Sequence, residues 1–198
     1  MLYKSILMAL LVALLSGCGA SKLSVPSQVT EASIINSRQK AYVIFSSQEL
    51  GGGRANPIFE YLPETEELKL VIIMGSHEKY IYPVDQGVHY FYSMGGETYD
   101  FLKVDALKGK KYYSLIDTVF WTFRMTAPIV SKPTTDVETI QELDTKLLIQ
   151  NSPKSVAWYE KRKDNSDFKK AVKERFLEWK EDDMQDKTLH QEDGFDIK

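Results

Sequence analysis

The chain has 198 residues, one cysteine and a formal net charge of −3. This length predicts a single domain with appendages, large enough to bury a hydrophobic core. One cysteine excludes a disulfide framework and a thiol pair for metal. The mild acidic excess argues against nucleic acid as a partner, because phosphate binding requires a clustered basic surface.

The first 17 residues have the pattern of a cleaved export signal. Lys4 supplies one positive charge ahead of an apolar run from Ile6 to Leu15, which is shorter than the roughly 20 residues of a membrane-spanning helix. The next residues, up to Gly17-Cys18, form Leu-Ser-Gly-Cys and resemble the lipobox of bacterial lipoprotein precursors. The resemblance implies cleavage between Gly17 and Cys18 and a lipid such as palmitate on Cys18. The alternative is an ordinary secretory signal with a chance cysteine.

Several acyl chains would anchor the protein more durably than a single myristoyl group does. In similar Gram-negative lipoproteins, an aspartate directly after the cysteine favours retention in the inner membrane. Gly19 occupies that position here, so the resemblance implies an outer-membrane location facing the periplasm. Residues 18–39 contain Ser, Thr, Ala, Gln and Pro26 without a sustained apolar period, which predicts a tether between the anchor and the folded domain.

Residues 40–131 are rich in aromatic and β-branched residues, in short segments separated by turn signals, and this pattern predicts an antiparallel β-domain. Gly95-Gly96 predicts a tight hairpin. An apolar sheet face needs a second layer, so we expect a β-sandwich, with a small barrel as the alternative. The predicted strands are Ala41–Ser46, Ile58–Leu62, Leu68–Met74, Lys79–Tyr82, Gly87–Ser93, Thr98–Val104, Lys111–Ile116 and Val119–Val130.

Residues 132–198 are predicted to form a charged α-helical extension. Thr135 and Glu138 have the spacing of a capping box, and Ser152-Pro153 is a second helix start. A break is expected near Asn165, and the end, from Glu192 to Lys198, is expected to fray. The predicted fold class is therefore mainly β, an antiparallel β-sandwich with a C-terminal α-helical extension.

No pattern for a metal, a cofactor or catalysis emerges from the sequence. His77 does not begin a zinc-protease motif, because Ile81 stands where a second histidine would be needed. Gly51-Gly52-Gly53 lacks the Lys and Ser or Thr of a P-loop, and Gly-x-Ser-x-Gly does not occur. His89 could meet the carboxylates of Asp85, Asp100 or Asp117, but strand-end carboxylates facing solvent are the more economical interpretation.

Aromatic runs are the most distinctive feature of the predicted strands. Adjacent residues in a strand point to opposite faces, so these runs cannot all enter one core. One hypothesis is an exposed platform for sugars or a protein partner; the favoured alternative is that the C-terminal helices cover this second face. The candidate interaction residues are Tyr92, Trp121, Trp158 and Trp179.

From Val84 to Leu115 the chain resembles an uncharacterised group of bacterial lipoproteins with a small β-sandwich, known as domain of unknown function 2846. The resemblance is carried by Gly87-Val88-His89 and by the segment Leu-Lys-Gly-Lys-Lys-Tyr-Tyr that ends at Tyr113. It implies that the first segment follows a turn and that the second enters a core strand. The charged helical extension departs from the family's compact pattern, and the family supplies no catalytic residues.

These features together predict a non-enzymatic envelope lipoprotein that contacts another envelope protein. The alternatives are a glycan- or peptidoglycan-binding module that uses Trp121 or Tyr92, and a hydrolase centred on His89.

Overall fold

The computed structural model describes residues 23–48, 55–95, 98–118, 129–182, 184 and 186–197. The predicted signal, Cys18, Gly51-Gly52-Gly53 and Trp121 lie outside these residues. In chain order the elements are β1 (Ser24–Pro26), α1 (Glu31–Ile34), β2 (Ala41–Ser47), β3 (Asn56–Leu62), β4 (Glu67–Met74), β5 (Glu78–Val84), β6 (Gly87–Gly95), β7 (Thr98–Ala106), β8 (Lys110–Thr118), β9 (Ile129–Thr134), α2 (Val137–Asp144), β10 (Leu147–Asn151), α3 (Pro153–Glu160), α4 (Ser166–Asp182), β11 (Thr188–Leu189) and β12 (Phe195–Asp196).

The strands of the described residues form two sheets. The first has seven strands in the order β1-β10-β5-β2-β8-β12, with β9 also paired to β8, and the second has five in the order β11-β7-β6-β3-β4. The predicted mainly β fold is confirmed, and β6 and β7 form the predicted hairpin with Gly95 opposite Thr98. The sheets are mixed rather than purely antiparallel, because β2–β8, β5–β10 and β7–β11 are parallel pairs.

The main core lies between the two sheets. Along β2, Ala41, Val43 and Phe45 point inward and meet residues such as Phe91 and Leu102 from the second sheet. This alternation follows from the period of two in a strand. Tyr42 and Ile44 point the other way and are also buried, so both faces of β2 are covered.

The C-terminal helices cover the outer face of the second sheet. Phe59, Tyr61 and Phe101 pack there against Phe176 and Trp179 of α4. Ser152 caps α3 with its side chain, and Pro153 occupies the first turn, as predicted. Asp136 caps α2 instead of the expected Thr135, because the Asp136 carboxylate accepts hydrogen bonds from the backbone N–H and the hydroxyl of Thr139.

The predicted division at residues 40 and 131 does not match the sheets. From Ser24 onward the residues do not form the expected tether, since Ser24–Pro26 pair with β10 and Glu31–Ile34 form α1. Residues 132–198 are not a separate helical extension either, because β10, β11 and β12 belong to the sheets. The expected fraying is wrong for residues 192–197, where Phe195 and Asp196 pair with β8. Gly194 allows this, because a Cβ there would lie 2.8 Å from the Tyr112 ring.

Candidate functional site

The outer face of the first sheet is only partly covered and carries a cleft of about 800 Å³. Helices α1 and α2 form its walls, β8 lies at its floor, and the C-terminal strand β12 borders it. The apolar lining includes Ile35, Tyr113, Ile140, Phe195 and Ile197. Tyr113 and Phe195 meet edge to face with ring centroids 5.8 Å apart. The cleft therefore has an apolar base built from four separate parts of the chain.

A buried lysine links the two walls of the cleft. Lys79 on β5 is 5% exposed, and its Nζ lies 2.7 Å from Glu31 Oε2 on α1. The same Nζ donates to the backbone carbonyl of Asp144 at 2.7 Å and lies 3.9 Å from Asp144 Oδ1. Lys79 thus holds the helices α1 and α2 in place by charge-assisted contacts.

Partial burial raises the pKa of the Asp144 carboxyl, although Lys79 and Lys111 act in the opposite direction. Burial is also the main cause of the raised pKa of Tyr113, with the negative charges of Asp144 and Glu31 adding to it. The Tyr113 phenol therefore keeps its proton at neutral pH, and it lines the cleft together with Asp144. These groups can hold a ligand by hydrogen bonds and charge, whereas a protonated phenol is a poor nucleophile.

His89 hydrogen-bonds to none of the three carboxylates that the sequence analysis considered. Its Nδ1 lies 2.7 Å from Glu60 Oε1, and its Nε2 lies 2.9 Å from the backbone carbonyl oxygen of Asp85. Asp100 instead accepts a hydrogen bond from Lys187, and Asp117 accepts one from Lys132. Both partners of the imidazole are acceptors, so the ring satisfies them only when both nitrogens carry protons. An imidazole in this state has no free nitrogen with which to act as a general base.

Tyr82 donates to the other oxygen of Glu60 at 2.9 Å. Burial lowers the pKa of His89, but the Glu60 hydrogen bond, the Asp85 carbonyl and the nearby negative charges outweigh it, and the net pKa is raised above 6.5. The His89 hydrogen bond is the largest cause of the lowered pKa of Glu60. Strands β3, β5 and β6 of both sheets thus meet in one charged network.

We expect this network to make stability depend on pH. A raised histidine pKa contributes stability that is complete below the unfolded-state pKa and is lost as pH rises through the folded-state pKa. Urea unfolding between pH 5 and 9 should therefore show falling stability on the alkaline side, and His89→Gln should remove that fall. His77→Asn is the control, since His77 is exposed in a turn at φ 60°, a backbone region that asparagine tolerates. An unchanged alkaline profile in His89→Gln would refute this role.

The proposed aromatic interaction surface is largely covered. Tyr92 is 0% exposed and Trp179 is 4% exposed, so their assignment to an exposed surface is wrong. Trp158 is partly buried on Phe59 and carries the Arg162 guanidinium over its ring at 4.5 Å. Trp121 lies outside the described residues. Helix α4 covers Tyr92, and Trp179 of the same helix packs onto the second sheet, because that sheet face needs an apolar cover.

The sequence did not point to the cleft. Its residues come from the predicted tether, from β8, from α2 and from the end predicted to fray. Two weak signals were present: the pair Ile34-Ile35 within a polar segment, and Phe195-Asp196-Ile197, which alternates as a strand does. Among the described residues, no group of histidine, cysteine, aspartate and glutamate side chains could hold a metal ion.

No model of a known protein family matches the chain, and no curated protein matches it. Among solved structures, an NMR structure of a protein from Eubacterium rectale is similar to part of it, with 12% sequence identity and a TM-score of 0.35. The match covers 53% of this chain and 93% of that chain. A likeness this weak carries no argument about function. No helix formed by the described residues combines the length and apolar character that crossing a membrane requires.

Proposed function

We propose that this chain is a lipid-anchored protein of the bacterial envelope that acts, without catalysis of its own, by binding a partner protein in the cleft. Its place is the periplasmic face of the outer membrane. The observation that carries the proposal is the motif that ends at Cys18 directly after the apolar run from Ile6 to Leu15. This spacing fits removal of a signal and acylation of the new N-terminal cysteine.

The position of the first strand supports a close attachment. Ser24 opens β1 and is six residues beyond Cys18, and six extended residues span at most about 22 Å. The folded domain would therefore sit near the headgroups of the anchoring membrane. A protein held at that distance meets partners in the same membrane or in the adjacent periplasm.

The cleft is the surface best suited to a partner. The aromatic face of the second sheet is covered by α4, whereas the cleft on the first sheet combines an apolar base with accessible polar groups. Val137 lines the cleft and is 55% exposed. Exposed apolar side chains beside a recess are typical of interaction sites.

Anchoring is tested with Cys18→Ala in cells supplied with labelled palmitate. We expect the wild-type chain to take up the label and to fractionate with membranes, and the variant to do neither. Globomycin should cause the wild-type precursor to accumulate. An unlabelled, uncleaved wild-type chain would refute the lipoprotein assignment.

Partner binding is tested separately, by placing a photo-crosslinking amino acid at Val137 or at Val156 in intact cells. Val156 is the matched control, since it is a 46% exposed valine on α3, away from the cleft. We expect a discrete crosslinked species from position 137 and none from position 156. Equal crosslinking, or none at position 137, would refute the cleft as the binding surface.

A further inference from the structure

We infer that the cleft takes a segment of a partner protein in which an apolar side chain lies next to a lysine or arginine, an inference that rests on the proposed function. The apolar side chain would occupy the base between Ile35, Tyr113 and Ile140, and the cation would lie at the rim near Asp144 and Glu31. The inference thus specifies the chemistry of the partner as well as the place where it binds.

The apolar base of the cleft is the part that would bind the apolar side chain of the partner segment. Tyr113 and Ile140 are buried beneath it, at 2% and 7% exposure, while Ile35, Phe195 and Ile197 are partly buried around it. A volume of about 800 Å³ lies within the range of ligand sites. An apolar side chain placed there removes its own surface and that of Val137 from water, which is favourable in proportion to the area covered.

The carboxylates around the cleft are the groups that would bind the lysine or arginine of the partner segment. The lining carries three carboxylates, on Glu31, Asp144 and Asp196, against one ammonium, on Lys111. Lys79 also faces Glu31 and Asp144, but it is 5% exposed and lies beneath them. Lys110 pairs with Asp196 at 2.8 Å. The carboxylates of Glu31 and Asp144 are therefore accessible on the side of the cleft formed by α1 and α2, while the lysine that pairs with them lies buried beneath.

Asp144 is an accessible carboxylate that a further cation can contact. Its side chain keeps 39% exposure, so a ligand can reach it, yet its pKa is raised by partial burial in spite of Lys79 and Lys111. A carboxylate in this state is incompletely compensated as an anion. A guanidinium or ammonium from the partner would supply the missing charge and donate hydrogen bonds to it.

The test uses the full chain, purified from membranes in detergent micelles, and three capped pentapeptides: Ala-Phe-Lys-Phe-Ala and its counterparts with Glu or Gln in the middle. Binding is followed by calorimetry and by the amide NMR shifts of Val137 and Gln141, which both line the cleft. We expect the lysine peptide to bind at least about ten-fold more tightly than the glutamate peptide at low salt, with the difference shrinking as salt screens the charges.

The matched variants are Val137→Arg and Val156→Arg. The first adds bulk and positive charge inside the cleft and should weaken binding of the lysine peptide about ten-fold or more, while the second should leave it unchanged. Equal affinity for the lysine and glutamate peptides would overturn the inferred chemistry, and so would the absence of binding at millimolar concentration. A dimer of the full chain that Val137→Arg dissociates would assign the cleft to a second copy and overturn it as well.

These outcomes remain distinct from those of the proposed function. Crosslinking from position 137 together with charge-independent peptide binding would reject only the cationic segment. If the wild-type chain takes up no palmitate label, the lipid anchor is rejected, and the result of the peptide-binding experiment is unaffected.

Discussion

Phe176→Ala should lower the free energy of unfolding by about 3–5 kcal/mol, the range for removing a buried phenylalanine from a core. Phe176 is 5% exposed, and its ring meets those of Tyr61 and Tyr90 edge to face, each at a centroid distance of 5.0 Å. It also lies 5.9 Å from the ring of Trp179 on the same helix. Removing it leaves a cavity under α4 and loosens the cover of the aromatic sheet face.

Leu177→Ala is the matched control, because Leu177 is the next residue of α4 and is 52% exposed. Truncating this exposed side chain should change the free energy of unfolding by no more than about 0.5 kcal/mol. Urea unfolding followed by tryptophan fluorescence compares the two, since Trp158 and Trp179 pack in the same cluster. If the two variants unfold at the same urea concentration, α4 does not stabilise the sheet as described.

Lys79→Met should have the second large effect, a loss of about 2 kcal/mol in the free energy of unfolding at pH 7. Removing one member of a buried charge group usually costs about 3–5 kcal/mol, but the side chains of Glu31 and Asp144 keep 35% and 39% exposure, so water compensates part of the loss. The backbone carbonyl of Asp144 also loses its donor. Helices α1 and α2 should then move more freely against the first sheet.

The control is Lys69→Met on β4, an exposed strand lysine, for which we expect a change within about 0.5 kcal/mol. Amide hydrogen exchange locates the effect: protection should fall in α2 for Lys79→Met and should stay unchanged in α4. A variant as stable as the wild type, with unchanged exchange in α2, would show that Lys79 does not hold the two helices.

Local patterns predicted strands β2 to β8. The alternation of Ala41, Val43 and Phe45 with Tyr42 and Ile44 depends only on the period of a strand, and β2 begins at the expected residue. The start of α3 at Ser152-Pro153 is equally local, because a side-chain cap and a fixed proline φ are properties of neighbouring residues. The segments Gly87–His89 and Lys110–Tyr113 open β6 and β8.

Short strands at the two ends of the chain were missed for a physical reason. Thr188-Leu189 and Phe195-Asp196 have two residues each and are held by pairing with β7 and β8. Two residues have no detectable period, and their stability comes from the longer strand with which they pair. Ser24–Pro26 are also too short to show a period, and they are held by pairing with β10, which lies more than a hundred positions away in the sequence.

By itself, the sequence determined strands β2 to β8 and the start of α3, because those properties depend on neighbouring residues. It also defined the motif at Cys18, from which the anchoring proposal follows. Only the tertiary structure decided that Tyr92 and Trp179 are buried, that His89 pairs with Glu60, and that Lys79 joins α1 to α2 beside a cleft. These outcomes depend on contacts between residues far apart in the chain, whose formation is governed by how the sheets and helices pack together.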